Sequence, residues 1–388
     1  MPDARPFRGW RYAPTREPLG SKLCPPYDVI GPALAKSLRA GKKNSVYLEL
    51  PAGEAPAKYA AAKAAWAKWR ADGTLRRDAA TAYYLVEERF RHAGRAYTRR
   101  GVLAGLGVTP KASKLVIPHE RTLSKPKADR LRMIAALQAN VSPIFGVFED
   151  KDRSAQSLLA RLGRGRPAAT ASAKGVSYKL FVVDAPAAVQ ALSRLLAPRE
   201  CLIADGHHRY SCAQEHYRRR PSKEAEAVLC YLVPDADPGL VVLPTHRVSG
   251  GGLLDRAGRL ASLRPQKDLK GLVKALDAAK NPYAFGLIEG GAILLGEPRT
   301  KNGCRSGLCV EWLGKHLLAG IAPDALSYTP DPAEAARRVD AGGSAVLVKP
   351  FPVAQVRKAA KAVGLLPQKS TYFIPKIVTG LVFRDLNP

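Results

Sequence analysis

The sequence predicts a mixed α/β fold. Amphipathic helices alternate with short apolar strands along the chain, one β-hairpin stands out, and one apolar strand runs through a glycine straight into a helix. The first helix is AKYAAAKAAWAKW, Ala57 to Trp69, ending before the turn at Asp72-Gly73. The hairpin pairs AYYLVEERF with AYTRRGVLAGLGV around the turn at Ala93-Gly94-Arg95. Both arms are rich in β-branched and aromatic residues. In ADRLRMIAALQAN, Leu131, Ile134 and Leu137 recur at helical spacing, predicting a helix over 128–140 that Pro143 prevents from continuing.

Ile144 to Phe148 and Ser177 to Val183 follow as strands, and Ala187 to Leu196 as a helix. The strand Cys201 to Ala204 then enters Asp205-Gly206-His207-His208-Arg209, with a helix expected from about Tyr210 to Arg218. Val228 to Val233 and Leu240 to Pro244 read as strands. Gly250, Gly251 and Gly252 mark a loop and a boundary, giving an N-terminal region 1–249 and a C-terminal α/β region 250–388 packed on it. Beyond the boundary, helices at Leu269 to Ala279, Ala333 to Val339 and Val353 to Val363 alternate with strands at Ala284 to Glu289 and Ala345 to Val348.

Composition narrows the function classes. The chain is 46% hydrophobic, as in a globular protein, so disorder is excluded. No apolar run reaches the ~20 residues of a membrane span, and the start MPDARPFRGWRYAP is not of signal-peptide type, so a cytoplasmic protein with no membrane partner is expected. The six cysteines form no C-x-x-C pair and read as reduced, buried thiols. The net charge of +29 invites a nucleic-acid reading. The basic residues, however, are spread along the chain in short runs such as Lys42-Lys43 and Arg218-Arg219-Arg220, and a general surface bias is favoured over a nucleic-acid site. Walker A, kinase glycine-loop and G-x-S-x-G patterns are absent.

The chemistry concentrates in two places. Where the strand ends at Gly206 and a helix begins, the first turn offers unpaired backbone N–H groups and the positive end of the helix dipole, a ready anion site. Arg209 adds a planar fork suited to phosphate oxygens, His207 and His208 can donate hydrogen bonds or shuttle protons, and Asp205 can hold Mg²⁺ or orient a histidine. The second constellation is Ile117-Pro118-His119-Glu120-Arg121-Thr122 with Lys125, Lys127, Asp129 and Arg130. Weaker candidates are Asp28 in PPYDVI, Arg247 after Thr245-His246, and Lys369-Ser370-Thr371-Tyr372, each equally readable as a turn, a strand end or a cap.

The segments PPYDVI, IPHERT, KADRL, ANVSPIF, ADGHHRY, PTHR and PQKSTYFIPK occur in the order characteristic of a bacterial and archaeal family catalogued as domain of unknown function number ten-fifteen. The sequence resembles that family from Pro25 to Leu381. The resemblance implies a relative of free-serine kinases within the ParB and sulfiredoxin superfamily, with a ParB/sulfiredoxin-like phosphate-binding core. Gly206, His208 and Arg209 match the superfamily's phosphate-binding motif; the sulfiredoxin cysteine is missing, which argues against sulfinic acid reduction. The implied activity is a small-molecule kinase making phosphoserine from free L-serine, with Mg²⁺ and ATP, ADP or pyrophosphate as donor. In that reading Gly206, His208, Arg209, Arg130 and Arg247 bind the donor, Asp205 is the Mg²⁺ ligand, and Glu120 is the general base, with His119, His207, His208 and Asp205 beside it as catalytic candidates. The alternative is a ParB-like nucleotide-binding, DNA-associated protein without turnover, although no helix-turn-helix signature follows.

Overall fold

A computed structural model describes residues 3–120, 124–197, 199–301, 303–339, 342–367 and 369–387. The chain is mixed α/β and divides into two units. The first comprises Met1–Ile117, Thr122–Val241 and Pro375–Pro388; the second comprises Pro118–Arg121 and Val242–Ile374.

The first unit is built on a nine-stranded sheet. Its order is Val116–Ile117, Cys201–Asp205, Ile144–Phe148, Ala227–Pro234, Arg95–Gly107, Tyr83–His92, Val176–Val183, Ala169–Ala173, with Ala4–Arg5 also pairing on Arg95–Gly107. The predicted hairpin is its centre. His92 faces Arg95 across a two-residue turn in which Ala93 and Gly94 have φ of 47° and 78°, the doubly left-handed turn that matches strand twist. One face of the sheet buries Leu85, Val102, Ala104, Ile144, Phe148, Ile203 and Leu232. On this hairpin Glu88 pairs directly with Arg99, and both side chains are fully buried. Arg99 Nε donates to Glu88 at 2.6 Å, and Tyr231 Oη donates to the same carboxylate at 2.9 Å.

A smaller sheet in the same unit joins Leu75–Arg77, Gly9–Tyr12, Phe383–Asp385 and Ala139–Asn140. The helix Ala57–Ala71 packs Trp66 and Trp69 onto Tyr12, Leu48 and Phe383. This sheet corrects the helix expected over 128–140. The helix is Ser124–Leu137; Gln138 turns left-handed at φ 49°, and Asn140 lies in a strand. Asn140 Oδ1 accepts the Leu229 N–H at 3.0 Å, a bond that a continuing helix could not offer.

The second unit carries a six-stranded antiparallel sheet, ordered Ala261–Pro265, Ala292–Pro298, Phe285–Glu289, Ser344–Leu347, His246–Ser249, Ser327–Thr329. Its helices Leu269–Ala278 and Pro332–Arg337 close one core over Leu272, Leu276, Ile288, Leu295, Ala335 and Leu347. The glycine loop before the helix Leu253–Leu260 is held by the Glu289 carboxylate, which accepts the N–H groups of Gly252, Leu253 and Leu254. Among the described residues no helix is long and apolar enough to cross a membrane. All six cysteines are free, and all but Cys304 are buried.

Removing one partner of a fully buried ion pair strands the other, typically at about 3–5 kcal/mol. Arg99→Met should therefore lower stability by about that amount in urea unfolding followed by fluorescence, and Glu88→Leu added to it should restore part of the loss. A single-variant loss below about 1 kcal/mol, the scale of an exposed pair, would show that the pair is not structurally important.

Candidate functional site

Cys201–Asp205 is buried between Val116–Ile117 and Ile144–Phe148, and its register against the latter slips between Ile203 and Asp205. Gly206 then takes φ 91°. A Cβ there would lie 2.8 Å from the Ile144 side chain, so both the backbone angle and the packing require glycine. The helix begins at once, as His207–Arg219, three residues earlier than the sequence suggested. Gly206 is its N-cap and supplies no side-chain cap, which places Arg209 in the first turn. His207 is buried and His208 half-buried.

Arg209 is held on three sides. Its Nη1 donates to Ser142 Oγ and to the Pro143 carbonyl, the latter at 2.7 Å, and its Nη2 donates to Asp205 Oδ2 at 2.8 Å. Its Nε is buried with no partner among the described residues. Burial alone would pull its pKa down, but the Asp205, Glu49 and Asp28 carboxylates outweigh that, and the guanidinium is held charged.

Sequence reasoning missed Lys376. Its Nζ donates to Asp205 Oδ1 at 3.1 Å and to Asp28 Oδ2 at 2.6 Å. Burial opposes its charge, yet the two carboxylates raise its pKa above the ordinary lysine value. The segment STYFIPK carries the signal, a lysine directly after Pro375, but its polar start is the more conspicuous feature. Asp28, a weaker sequence candidate, belongs to this cluster, while Asp205 pairs with two cations, one on each carboxylate oxygen. Two carboxylates and two cations thus leave the cluster close to neutral.

Arg130 joins the same region. Its guanidinium lies 4.3 Å from the Tyr27 ring centroid, a cation–π contact, and donates to the Glu49 carbonyl at 2.8 Å and to Asp129 at 2.6 Å. Burial pushes the Asp129 carboxyl up, but hydrogen bonds from Lys58, Arg130 and Tyr59 overcome this and lower it to about 2. Arg130, Arg209, Ser142, Asn140 and Glu49 line a void of about 50 Å³, room for one or two waters and not for a nucleotide.

His119, Glu120 and Arg247 belong to the second unit. Arg121 and Thr122 lie outside the described residues, as does the Lys125 side chain. His119 is fully buried, with Nε2 3.0 Å from Thr371 Oγ1 and 3.7 Å from Glu120 Oε1. Glu120 accepts the Ser370 N–H at 3.0 Å. Arg247 is buried on the strand His246–Ser249, between Tyr328 and Val346 of the neighbouring strands. Its Nη1 donates to the Thr245 carbonyl and its Nη2 to the Lys369 carbonyl at 3.4 Å.

A sequence model of the family described as "Protein of unknown function (DUF1015)" matches residues 4–306. No curated protein matches the chain. Solved structures similar to it include a conserved hypothetical protein from Pyrococcus furiosus, 15% identical over 72% of this chain and 95% of that one, TM-score 0.39. A free serine kinase variant in complex with ADP is 10% identical over 72% of this chain and 92% of that one, TM-score 0.40. SbnI with a C-terminal truncation, from Staphylococcus aureus, is 10% identical over 71% and 85%, TM-score 0.41.

His246 supplies a pH prediction. Burial first, and the Arg247 charge second, lower its pKa to about 4. In the unfolded chain the ordinary value is about 6.5. Between those values the unfolded state takes a proton that the folded state refuses, so stability falls as pH drops from about 6.5 to about 4 and levels off below. The largest loss is about 3 kcal/mol at about 1.4 kcal/mol per unit. His246→Gln should flatten that part of the stability-versus-pH curve; an unchanged difference curve would show that the imidazole titrates normally.

Proposed function

The chain belongs to the DUF1015 family, and from that premise we propose that it is a small-molecule kinase that transfers a phosphoryl group to the hydroxyl of free L-serine. The observation that carries the reading is the Arg209 fork, fixed in the uncapped first turn of the helix His207–Arg219 with its Nε unspent, beside the Asp28–Lys376–Asp205 cluster. The family motifs point the same way and propose a ParB/sulfiredoxin-like core around Cys201–Arg219.

The donor phosphates would sit on the N–H groups after Gly206, with Arg209, Arg130 and His208 around them. Lys376 would be a further cation for the transferred group. Serine Oγ attacks the terminal phosphorus, the bond to the leaving phosphate oxygen breaks, and a carboxylate takes the hydroxyl proton. Charge building on the transferred group is met by fixed cations, usually the largest contribution in such chemistry.

Mg²⁺ fits the residues present. Among the described residues no group of three or more His, Cys, Asp or Glu could cage a metal, but Mg²⁺ with polyphosphate needs only one or two protein carboxylates. Asp205 and Asp28 already share one cation, the Lys376 ammonium, and would hold it. When bound, Mg²⁺ would neutralise donor phosphate oxygens. The donor would be ATP, ADP or pyrophosphate.

The test is ³¹P NMR of the protein with Mg²⁺, L-serine and each donor in turn, with phosphoserine as the expected product. Arg209→Ala should weaken donor binding by about 2–5 kcal/mol, the usual loss for a charged hydrogen-bonding partner, read by calorimetry at retained fold. Arg209→Lys should also be impaired, because a point charge cannot replace the fork. Full turnover in the lysine variant would leave Arg209 a role in bulk charge only.

Glu120 is the proposed general base. Glu120→Gln keeps the shape, so kcat should fall by about two orders of magnitude or more while donor affinity stays nearly unchanged. Turnover within a few-fold of wild type would move the role to Asp28, the carboxylate beside Lys376, and Asp28→Asn would then show the loss.

A further inference from the structure

Arg247 is a buried charge with no ion-pair partner among the described residues. Its side chain is 3% exposed, and no carboxylate of the described residues lies within ion-pair distance of it. Its partners are the Thr245 carbonyl, the Lys369 carbonyl at 3.4 Å, and the Tyr328 ring at 5.9 Å. Burial accordingly pulls its pKa below the ordinary guanidinium value. Arg384 in the first unit likewise has no ion pair among the described residues, but three oxygens meet its guanidinium, Asn140 Oδ1 and the carbonyls of Ala227 and Glu224, where Arg247 has two carbonyls, one of them at 3.4 Å. An isolated buried charge is costly unless something of opposite sign completes it.

Two independent observations show what would complete it. First, the two residues that precede it in the chain carry unspent donors. Thr245, whose own carbonyl Arg247 holds, has a buried Oγ1 with no partner among the described residues. His246 Nδ1 accepts the Val348 N–H, which leaves Nε2 carrying the hydrogen of the neutral ring, and that atom is likewise buried without a partner. Second, Arg247 and Glu120 flank one peptide. Arg247 donates to the Lys369 carbonyl, and Glu120 accepts the Ser370 N–H of the same amide. The Glu120 carboxylate bears electrostatically on both Arg247 and Tyr328, yet it forms no ion pair with the guanidinium. Its side chain is 16% exposed, so the cluster is open at that edge.

A cation and a carboxylate held near each other but unpaired suit a small molecule with an anionic end and a protic end. A polyphosphate suits them poorly, because Glu120 would repel it. We infer that Arg247, with Thr245, binds the carboxylate of a small β-hydroxy acid, of which serine is one, and so turns the acceptor's hydroxyl toward Glu120. This rests on the kinase reading for the acceptor's identity. It reassigns Arg247 from the donor phosphates to the acceptor and names the carboxylate as the group recognised. Arg247 acts here as a binding and positioning residue, not as a proton carrier.

The experiment is calorimetry on the full chain with L-serine, 3-hydroxypropionate (serine without its ammonium) and ethanolamine (serine without its carboxylate), in wild type and Arg247→Ala. Wild type should bind L-serine and 3-hydroxypropionate and bind ethanolamine about 100-fold more weakly, the scale of one lost charged contact. Arg247→Ala should weaken L-serine and 3-hydroxypropionate by a similar factor, leave ethanolamine unchanged, and leave donor affinity unchanged. If Arg247→Ala does not fold, Arg247→Gln and the wild-type comparison of L-serine with ethanolamine carry the same test. Equal affinity for L-serine and ethanolamine, unchanged L-serine affinity in the variant, or a loss confined to the donor would each overturn the inference. Binding is read without turnover, so the two ideas fail separately. L-serine binding that depends on Arg247 with no phosphoserine formed sinks the kinase reading alone. Phosphoserine formed with an L-serine KM indifferent to Arg247→Ala sinks this inference alone.

Discussion

The first unit depends on one buried ion pair. Glu88 and Arg99 face each other across the central hairpin with no exposure, and continuing that sheet with an ordinary apolar pair would be simpler. What the pair adds is reach. Tyr231 on the next strand donates to Glu88, and Arg99 lies 4.9 Å from the Phe145 ring centroid and 5.7 Å from that of Tyr231. The other end of the guanidinium donates to the Pro375 carbonyl at 2.5 Å. The next residue is Lys376, so the sheet centre fixes the segment that delivers the lysine to Asp28 and Asp205. Close packing leaves little slack: a Cβ on Gly101 would come within 2.5 Å of the Tyr231 ring.

The consequence at the site is a set of charges that already satisfy one another. Arg209 and Lys376 are paired with Asp205 and Asp28, which holds them charged and oriented despite burial. An incoming phosphate group alone would have to break those pairs against two carboxylates. A phosphate accompanied by a divalent cation would instead exchange partners, the cation going to the carboxylates and the phosphate to the ammonium and guanidinium, with no net charge created in a low-dielectric place.

Much of the local structure was legible because it follows period and turn chemistry. The hairpin turn needs two left-handed residues, and Ala93-Gly94 lies between two β-rich arms. Ala57–Ala71 keeps its apolar face at helical spacing and emerges within two residues of the expected end. What stayed hidden is set by distant partners. Nothing local says that Gln138 turns left-handed; that follows from Asn140 being required in a sheet with Phe383–Asp385. The helix start moved from Tyr210 to His207 because Gly206 packs against Ile144 and turns the chain immediately. Lys376 was hidden for the same reason: its role is defined by Asp28 and Asp205, 348 and 171 residues earlier in the chain. Motif order carried the identity of the pieces, and only the fold showed which pieces touch.

The large positive charge is best separated from the site. The cations that touch the cluster are paired, whereas the runs noted in the sequence are at the surface: Arg218 and Arg219 are 72% and 60% exposed, with Glu215 as their shared partner. Exposed charges are screened beyond about 8 Å at physiological salt, so they contribute little to the electrostatics of the paired cluster around Arg209. They act on the approach instead. A net charge of +29 raises the concentration of anions around the whole molecule and speeds their encounter, in a way that salt abolishes. Composition therefore sets the field that an approaching anion meets, and the paired cluster sets the local charge balance at Arg209.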